Sequence, residues 1–325
     1  MFHRQFGEDA NYCSPSKLTE FRVSIRYDGR VAIVTGAGNG LGRSHALALA
    51  ARGAKVVVND LGGARDGSGG SLSAAEEVVS EIVKAGGEAM ANGANVTKDG
   101  EVAAMVEAAM KKWGRVDILV NNAGILRDKT FAKMEMDDFR LVLDVHLVGT
   151  AVCTKAVWEI MRQQQYGRIV CTSSPSGLYG IFGQANYGAA KAGMIGFMNA
   201  LHLEGAKYNI HINLLSPSAK TRMTEDLGIP EEMLSLMTPE AITAAALFLV
   251  GEDAPSRAIV SCAAGGYARA YVGETDGVYL PPDAQTPENI AANWNKISDQ
   301  SSVIYYDNSA GPNMNFLAKA KAHAG

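Results

Sequence analysis

Three side chains in the stretch 168–191 have the types and spacing to do chemistry together: Ser174, Tyr187 and Lys191. Tyr187 and Lys191 are four apart, so a helix opening near Tyr187 puts both on one face. An ammonium beside a phenol favours the phenolate, and bringing a tyrosine from about 10 to near neutrality takes roughly 4 kcal/mol of differential interaction. A lysine and a bound cationic cofactor supply interaction of that kind. Ser174 ends an apolar strand carrying Ile169 and Val170 and is placed to donate a hydrogen bond to the same substrate oxygen. The trio reads as a proton-transfer site for a carbonyl or an alcohol. The same Tyr/Lys spacing also arises on solvated helix faces, so the reading depends on the elements that position it.

The first of these elements begins at Val31. The buried-strand run Val31-Ala-Ile-Val34 leads into Thr35-Gly36-Ala-Gly38-Asn39-Gly40-Leu41-Gly42 and then an Ala/Leu-rich helix ending near Gly53. Glycines at this junction allow a tight turn and a close approach to a pyrophosphate at the helix amino terminus, where free N–H groups and the dipole favour an anion. A plain strand-to-helix turn needs one glycine, and this one has four. A second strand, 55–59, ends at Asp60, whose carboxylate can accept both adenosine ribose hydroxyls and repel a 2′-phosphate. NAD is therefore expected over NADP. The alternative for Asp60 is a turn cap before Gly62-Gly63.

Beyond the loose loop 62–70, Ser71 or Ser73 is expected to cap a helix ending near Gly86. A strand over 88–96, a helix over 99–113 and a strand over 116–120 follow, the last opening into Asn121-Asn122-Ala123-Gly124. Strand and helix alternating predict an α/β fold, a Rossmann-type doubly wound parallel sheet in three layers, with ligands at the carboxyl ends of the strands. The Gly loop, Asp60, Asn121 and Ser174 all fall there.

The 325 residues, 47% hydrophobic and 20% charged, suffice for a large core, and the net charge of -4 argues against nucleic acid or an anionic membrane as partner. The four cysteines, at 13, 153, 171 and 262, lack metal-ligand spacing and read as reduced thiols of a cytoplasmic protein with no metal site. The apolar run 241–250 is too short to span a bilayer. Residues 1–28 lack a signal-peptide core, and the carboxyl-terminal Lys-Ala-His-Ala-Gly lacks a Ser-Lys-Leu address.

Together, Thr35-Gly36-x-x-x-Gly40-x-Gly42, Asn121-Asn122-Ala123-Gly124, Ser174 and Tyr187-x-x-x-Lys191 resemble the short-chain dehydrogenase/reductase family over residues 29–270. The resemblance implies that Tyr187 is the acid/base, that Lys191 lowers its pKa and holds the nicotinamide ribose, and that Ser174 steadies the reacting oxygen. It also implies cofactor contacts from Gly36, Gly38, Asn39, Gly40, Leu41 and Asp60. Asn95, Val96, Asn122, Ala123, Gly124, Pro217 and Thr221 complete that set. His146 stands where the family has an asparagine whose main-chain carbonyl holds a water near the lysine; a histidine there keeps the relay or is a plain core residue. Asn95 replaces a frequent aspartate, and Ser218 a frequent glycine.

The longer stretches 59–63, 121–128, 183–187 and 286–294 are similar to (3R)-hydroxyacyl-CoA dehydrogenase domains of multifunctional β-oxidation enzymes, also known as type 4 17β-hydroxysteroid dehydrogenases. That likeness implies oxidation of a (3R)-3-hydroxyacyl-CoA by NAD, with a steroid dehydrogenase or another carbonyl reductase of the same family as the alternative. A non-catalytic dinucleotide-sensing protein is the rival from another class. The small residues of the helix 187–207 imply a homodimer or homotetramer through a two-fold interface, or close packing on the protein's own sheet. Residues 218–237 are expected to form a lid, and a strand over 259–262 to complete the sheet. The extension 271–325 is expected to shape the substrate site or the dimer, with a helix capped by Thr286 carrying Ile290 and Trp294.

Overall fold

The computed structural model describes residues 24–219 and 231–324. From the amino end the chain runs β1 (Val31–Thr35), α1 (Gly40–Ala51), β2 (Lys55–Asn59), α2 (Ser73–Lys84), β3 (Glu88–Asn92), α3 (Asp99–Trp113) and β4 (Ile118–Asn121). Then come α4 (Met136–Leu143), a π-helical turn (Asp144–Val148), α5 (Gly149–Gln164), β5 (Gly167–Thr172), α6 (Pro175–Tyr179) and α7 (Ala185–Gly205). The body closes with β6 (Ile210–Ser218), α8 (Glu231–Leu236), α9 (Pro239–Leu249), β7 (Ile259–Ala263) and β8 (Gly266–Ala270).

The eight strands form one sheet in the order β3-β2-β1-β4-β5-β6-β7-β8, parallel except for the β7/β8 pair. The expected doubly wound sheet is therefore present. Strands covered on both faces need apolar residues at successive positions, and all five residues of β1 are buried. One face packs on α1, α2 and α9 through residues such as Leu49, Ile82 and Ile242. The other packs on α3, α5 and α7 through Met105, Val157 and Met194. The core extends upstream of Val31, because the Tyr27 ring is buried and its hydroxyl donates to Leu247 O at 2.6 Å.

Several expected boundaries move for local reasons. The third strand stops at Asn92 rather than 96, because Asn92 Oδ1 accepts the Ala94 N–H and turns the chain. At α2, Leu72 holds the cap position without a side-chain bond, while Ser71 Oγ accepts the Ser73 N–H at 3.2 Å. The antiparallel β8 was not expected. Its hairpin turns through Ala264 and Gly265, both at positive φ (46° and 81°), as a two-residue hairpin requires. The 29-residue helical run Met136–Gln164 has the length and apolarity of a membrane span, yet it packs against α3 and α7.

Past Tyr271 the chain forms β9 (Glu274–Thr275), α10 (Pro287–Ala292), α11 (Trp294–Ile297), β10 (Val303–Ile304) and α12 (Ala310–Ala324). Thr286 caps α10 as expected, accepting the Asn289 N–H at 3.2 Å. Trp294 is not on that helix. The chain leaves helical geometry at Asn293, whose side chain donates to Asn289 O, and Trp294 starts a separate turn, 59% exposed. Arg257 ties this extension to the body, donating to Asp307 O and Tyr306 O, both at 2.8 Å, and to Asn199 Oδ1 of α7 at 2.9 Å.

At the amino end of β5, opposite the strand ends where ligands are expected, the buried Arg168 uses all five N–H donors. It donates to the carbonyls of Gly167, Asn209, Gly251 and Glu252 and to Asn209 Oδ1, over 2.7–3.2 Å. It also stacks on Tyr166, 4.3 Å from the ring centre. Arg168→Met keeps the volume and strands those carbonyls, so unfolding stability in urea should fall by about 3 kcal/mol with an unchanged m-value. Stability within about 0.5 kcal/mol of wild type would show that water replaces the guanidinium without loss.

Candidate active site

The glycine loop after β1 is held by the end of β4. Thr35 Oγ1 accepts the N–H groups of Asn122 (3.0 Å) and Ala123 (3.1 Å), while Asn122 Nδ2 donates to the carbonyls of Thr35 (3.1 Å) and Gly36 (3.0 Å). This close approach excludes a side chain at two glycines. A Cβ at Gly36, where φ is +62°, would lie 2.8 Å from Ala123 Cα, and one at Gly42 would lie 2.2 Å from Gly36 O. No side chain caps α1 and its first turn has no acidic residue, so its leading N–H groups are left for an anion.

Asp60 buckles this loop to the next. Its Oδ2 accepts the Gly38 N–H and its Oδ1 the Gly62 N–H, each at 2.7 Å. Residues 61–71 then make an Ω-shaped strap, closed at the neck by Ser71 N–H to Leu61 O. Its tip is tied to the chain after β4 by Leu126 N–H to Arg65 O (3.0 Å) and Arg127 Nε to Asp66 O (3.0 Å).

Ser174, Tyr187 and Lys191 meet on the far side of the same cleft. Ser174 caps α6 and its Oγ accepts the Ser176 N–H at 3.1 Å, which turns the hydroxyl hydrogen away from that bond. Burial pushes the Tyr187 phenol up to about 12, against the Ser174 hydroxyl, whose hydrogen bond draws it down. Burial also brings the Lys191 amine down to about 7. The amine donates to Thr172 O and lies 5.4 Å from the centre of the Tyr187 ring. In the protein alone, burial is the largest influence on both groups.

His146 lies in the π-helical turn, buried, with its ring edge-on to Tyr187 at 5.1 Å between centroids. According to tautomer, its Nε2 accepts the Ile125 N–H (3.1 Å) or donates to Ile125 O (2.8 Å). Burial first, and then the charge of Lys191, hold the imidazole well below its ordinary pKa, hence neutral. Thr150 Oγ1 donates to the His146 carbonyl at 2.6 Å, occupying one of the lone pairs on which a water relay would draw.

These residues converge on a cavity of about 590 Å³. Of the cofactor contacts inferred from sequence, Asn39, Gly40, Leu41, Asn95, Val96 and Pro217 also line it. Gly38 does not. It acts behind the surface, through its bond to Asp60. Asn95 has its Oδ1 engaged by the N–H and hydroxyl of Thr97. Thr221, and most of the expected lid, lie outside the described residues. The glycine cradle, the uncapped helix start and the acceptors of Asp60 fit a dinucleotide.

Sequence reasoning missed Gln184 and Asp128. Gln184 Nε2 donates to Asp128 Oδ2 at 2.7 Å, and Gln184 Oε1 accepts from Ser176 Oγ at 2.8 Å. All three lie within a few residues of the motifs, but only the fold shows that they touch.

Comparison with known proteins adds ancestry. Residues 30–231 match the family model for short chain dehydrogenases. A peroxisomal hydratase-dehydrogenase-epimerase of Saccharomyces cerevisiae is 48% identical over 279 residues, covering 85% of this chain and 31% of its own length. This chain thus spans about a third of that relative. A putative short-chain type dehydrogenase/reductase of Mycobacterium tuberculosis is 48% identical over 275 residues, covering 84% of this chain and 95% of that protein. Among solved structures, the full-length peroxisomal multifunctional enzyme type 2 of Drosophila melanogaster superposes with a TM-score of 0.76 at 37% identity, over 90% of this chain and 50% of that one. Fold, site and likeness agree: the chain belongs to the short-chain dehydrogenase family, oxidoreductases that act on CH–OH groups.

Proposed function

We propose that this protein oxidises a (3R)-3-hydroxyacyl-CoA to the 3-oxoacyl-CoA with NAD. The observation that carries the chemistry is the convergence of Ser174, Tyr187 and Lys191 on the cavity that also holds the glycine loop and Asp60. The likeness to the yeast and Drosophila enzymes supports the acyl-CoA substrate. When bound, NAD supplies the hydride acceptor and a positively charged ring. Ser174 donates its hydroxyl hydrogen to the substrate oxygen and fixes it beside Tyr187, which takes the hydroxyl proton. Lys191, held by Thr172 O, is the positive neighbour that makes the phenolate attainable. A dinucleotide sensor without catalysis has no use for this trio.

Asp60 supports NAD over NADP, since its carboxylate lines the cavity and would repel a 2′-phosphate on the adenosine ribose. Self-association as a homodimer or homotetramer is supported by apolar residues left uncovered on the surface, including Leu203 on α7, Phe248 on α9 and Trp294 in the extension. The buried free cysteines Cys153, Cys171 and Cys262 suit a reducing compartment, and we place the chain in the cytoplasm. The yeast and Drosophila relatives carry a peroxisomal location in their names.

Four measurements test this reading. Tyr187→Phe should lower turnover by about 10² to 10⁴ while the cofactor still binds. In wild type the phenol, pushed up to about 12, must lose its proton, so oxidation should climb with pH. A flat profile between about pH 6 and 9, or a Phe variant of near-normal rate, removes Tyr187 as the base.

Asp60→Ala should raise the NADP-to-NAD ratio of kcat/KM. Both cofactors should also bind more weakly than charge alone predicts, because Gly38 loses its acceptor. Equal use of the two cofactors by wild type would dismiss Asp60 as the discriminator.

Ending the chain after Tyr271 should impair acyl-CoA turnover or self-association more than NAD binding. A shortened protein that assembles normally and keeps full acyl-CoA activity would assign the extension to stability alone.

A further inference from the structure

The amide of Gln184 is oriented more tightly than a structural glutamine requires. Its nitrogen faces the Asp128 carboxylate, which accepts and does not donate, and its oxygen faces the Ser176 hydroxyl, so the carboxamide cannot flip without losing both bonds. Among the described residues Nε2 makes this one bond, which leaves its second hydrogen without a protein acceptor. Gln184 is buried, yet it lines the cavity three residues before Tyr187. Through Ser176, whose N–H bonds Ser174 Oγ, the amide is also linked to the group that holds the reacting oxygen. The loop carrying Asp128 is stitched to this segment twice more, by Lys129 N–H to Gly183 O and by Asn186 Nδ2 to Arg127 O. The donor is thus fixed on both sides.

We infer that Gln184 Nε2 donates to the thioester carbonyl of the substrate, making it the residue that selects a β-hydroxy thioester over an isolated secondary alcohol. This rests on the acyl-CoA reading above. A carbonyl two bonds from the carbinol carbon is the acceptor that such a substrate offers and a steroid alcohol or simple alkanol lacks. A buried donor left unpaired disfavours the substrate that cannot satisfy it, which is the strongest form of polar discrimination available to a pocket. The cavity lining also includes the apolar side chains of Ile125, Leu126, Leu141, Val145 and Ile181.

The test compares a (3R)-3-hydroxyacyl-CoA with its thioether analogue, in which the carbonyl is replaced by CH2, in wild type and in Gln184→Met. Wild type should prefer the thioester by about 10- to 100-fold in kcat/KM, and Gln184→Met should reduce that preference to below about threefold. A variant that slows on both substrates equally, keeping the wild-type ratio, would show that Gln184 only supports Ser176 and Ser174, and would overturn the inference. So would a wild type with no preference. If Gln184→Met fails to fold, Asp128→Asn loosens the orientation of the amide and should cut the preference at least threefold; an unchanged ratio there counts against the inference equally. Wild type that oxidises steroid alcohols and neither CoA compound would instead refute the acyl-CoA reading itself.

Discussion

The site depends first on the clamp between Thr35 and Asn122. A parallel sheet delivers its strand ends to one edge, but it does not fix the loops that leave that edge. Here one hydroxyl and one carboxamide join the loop after β1 to the loop after β4 through four hydrogen bonds, all among half-buried or buried groups. Each such bond contributes about 1 kcal/mol, and together they hold two backbones at a separation that only glycine at position 36 permits. The loop after β1 and the loop after β4 are therefore held as one piece. Asp60 extends it to the strap, and His146 extends it to the helix behind.

Electrostatically the site is held in reserve. Burial moves the amine and the phenol each toward its neutral form. The protein contributes dipoles, the Thr172 carbonyl for the amine and the Ser174 hydroxyl for the phenol, rather than a counter-charge. Among the described residues no metal-ligating cluster supplies one.

Much of the fold was legible because its signals are local. Val31–Val34 and the glycines after it announce a strand, a turn and a helix within twelve residues, and the Tyr/Lys pair needs only a helix to be joined. The antiparallel β8 was not legible, because its hairpin turns on Ala264 in a left-handed conformation that alanine does not advertise. The pairing of Gln184 with Asp128 was missed for a different reason. Glutamine and aspartate are ordinary surface residues, and their pairing spans 56 positions that only the crossover between β4 and β5 brings together. The helix break at Asn293 belongs to the same class, since a side chain that bonds back to its own backbone competes with helix only when the surroundings allow it.

The π-helical turn at Asp144–Val148 carries a consequence of another kind. A π turn behaves as one extra residue accommodated inside an α-helix, here by the bond from Gly149 N–H to Asp144 O. Deleting a single residue from it would let the run from α4 to α5 become regular. Because the π turn absorbs its extra residue locally, α4 and α5 would keep their faces, and the change would fall on the turn itself. His146, which sits in that turn, would lose its place beside Ile125. The segment can exchange one side chain for another, but its number of residues is fixed by the site it serves.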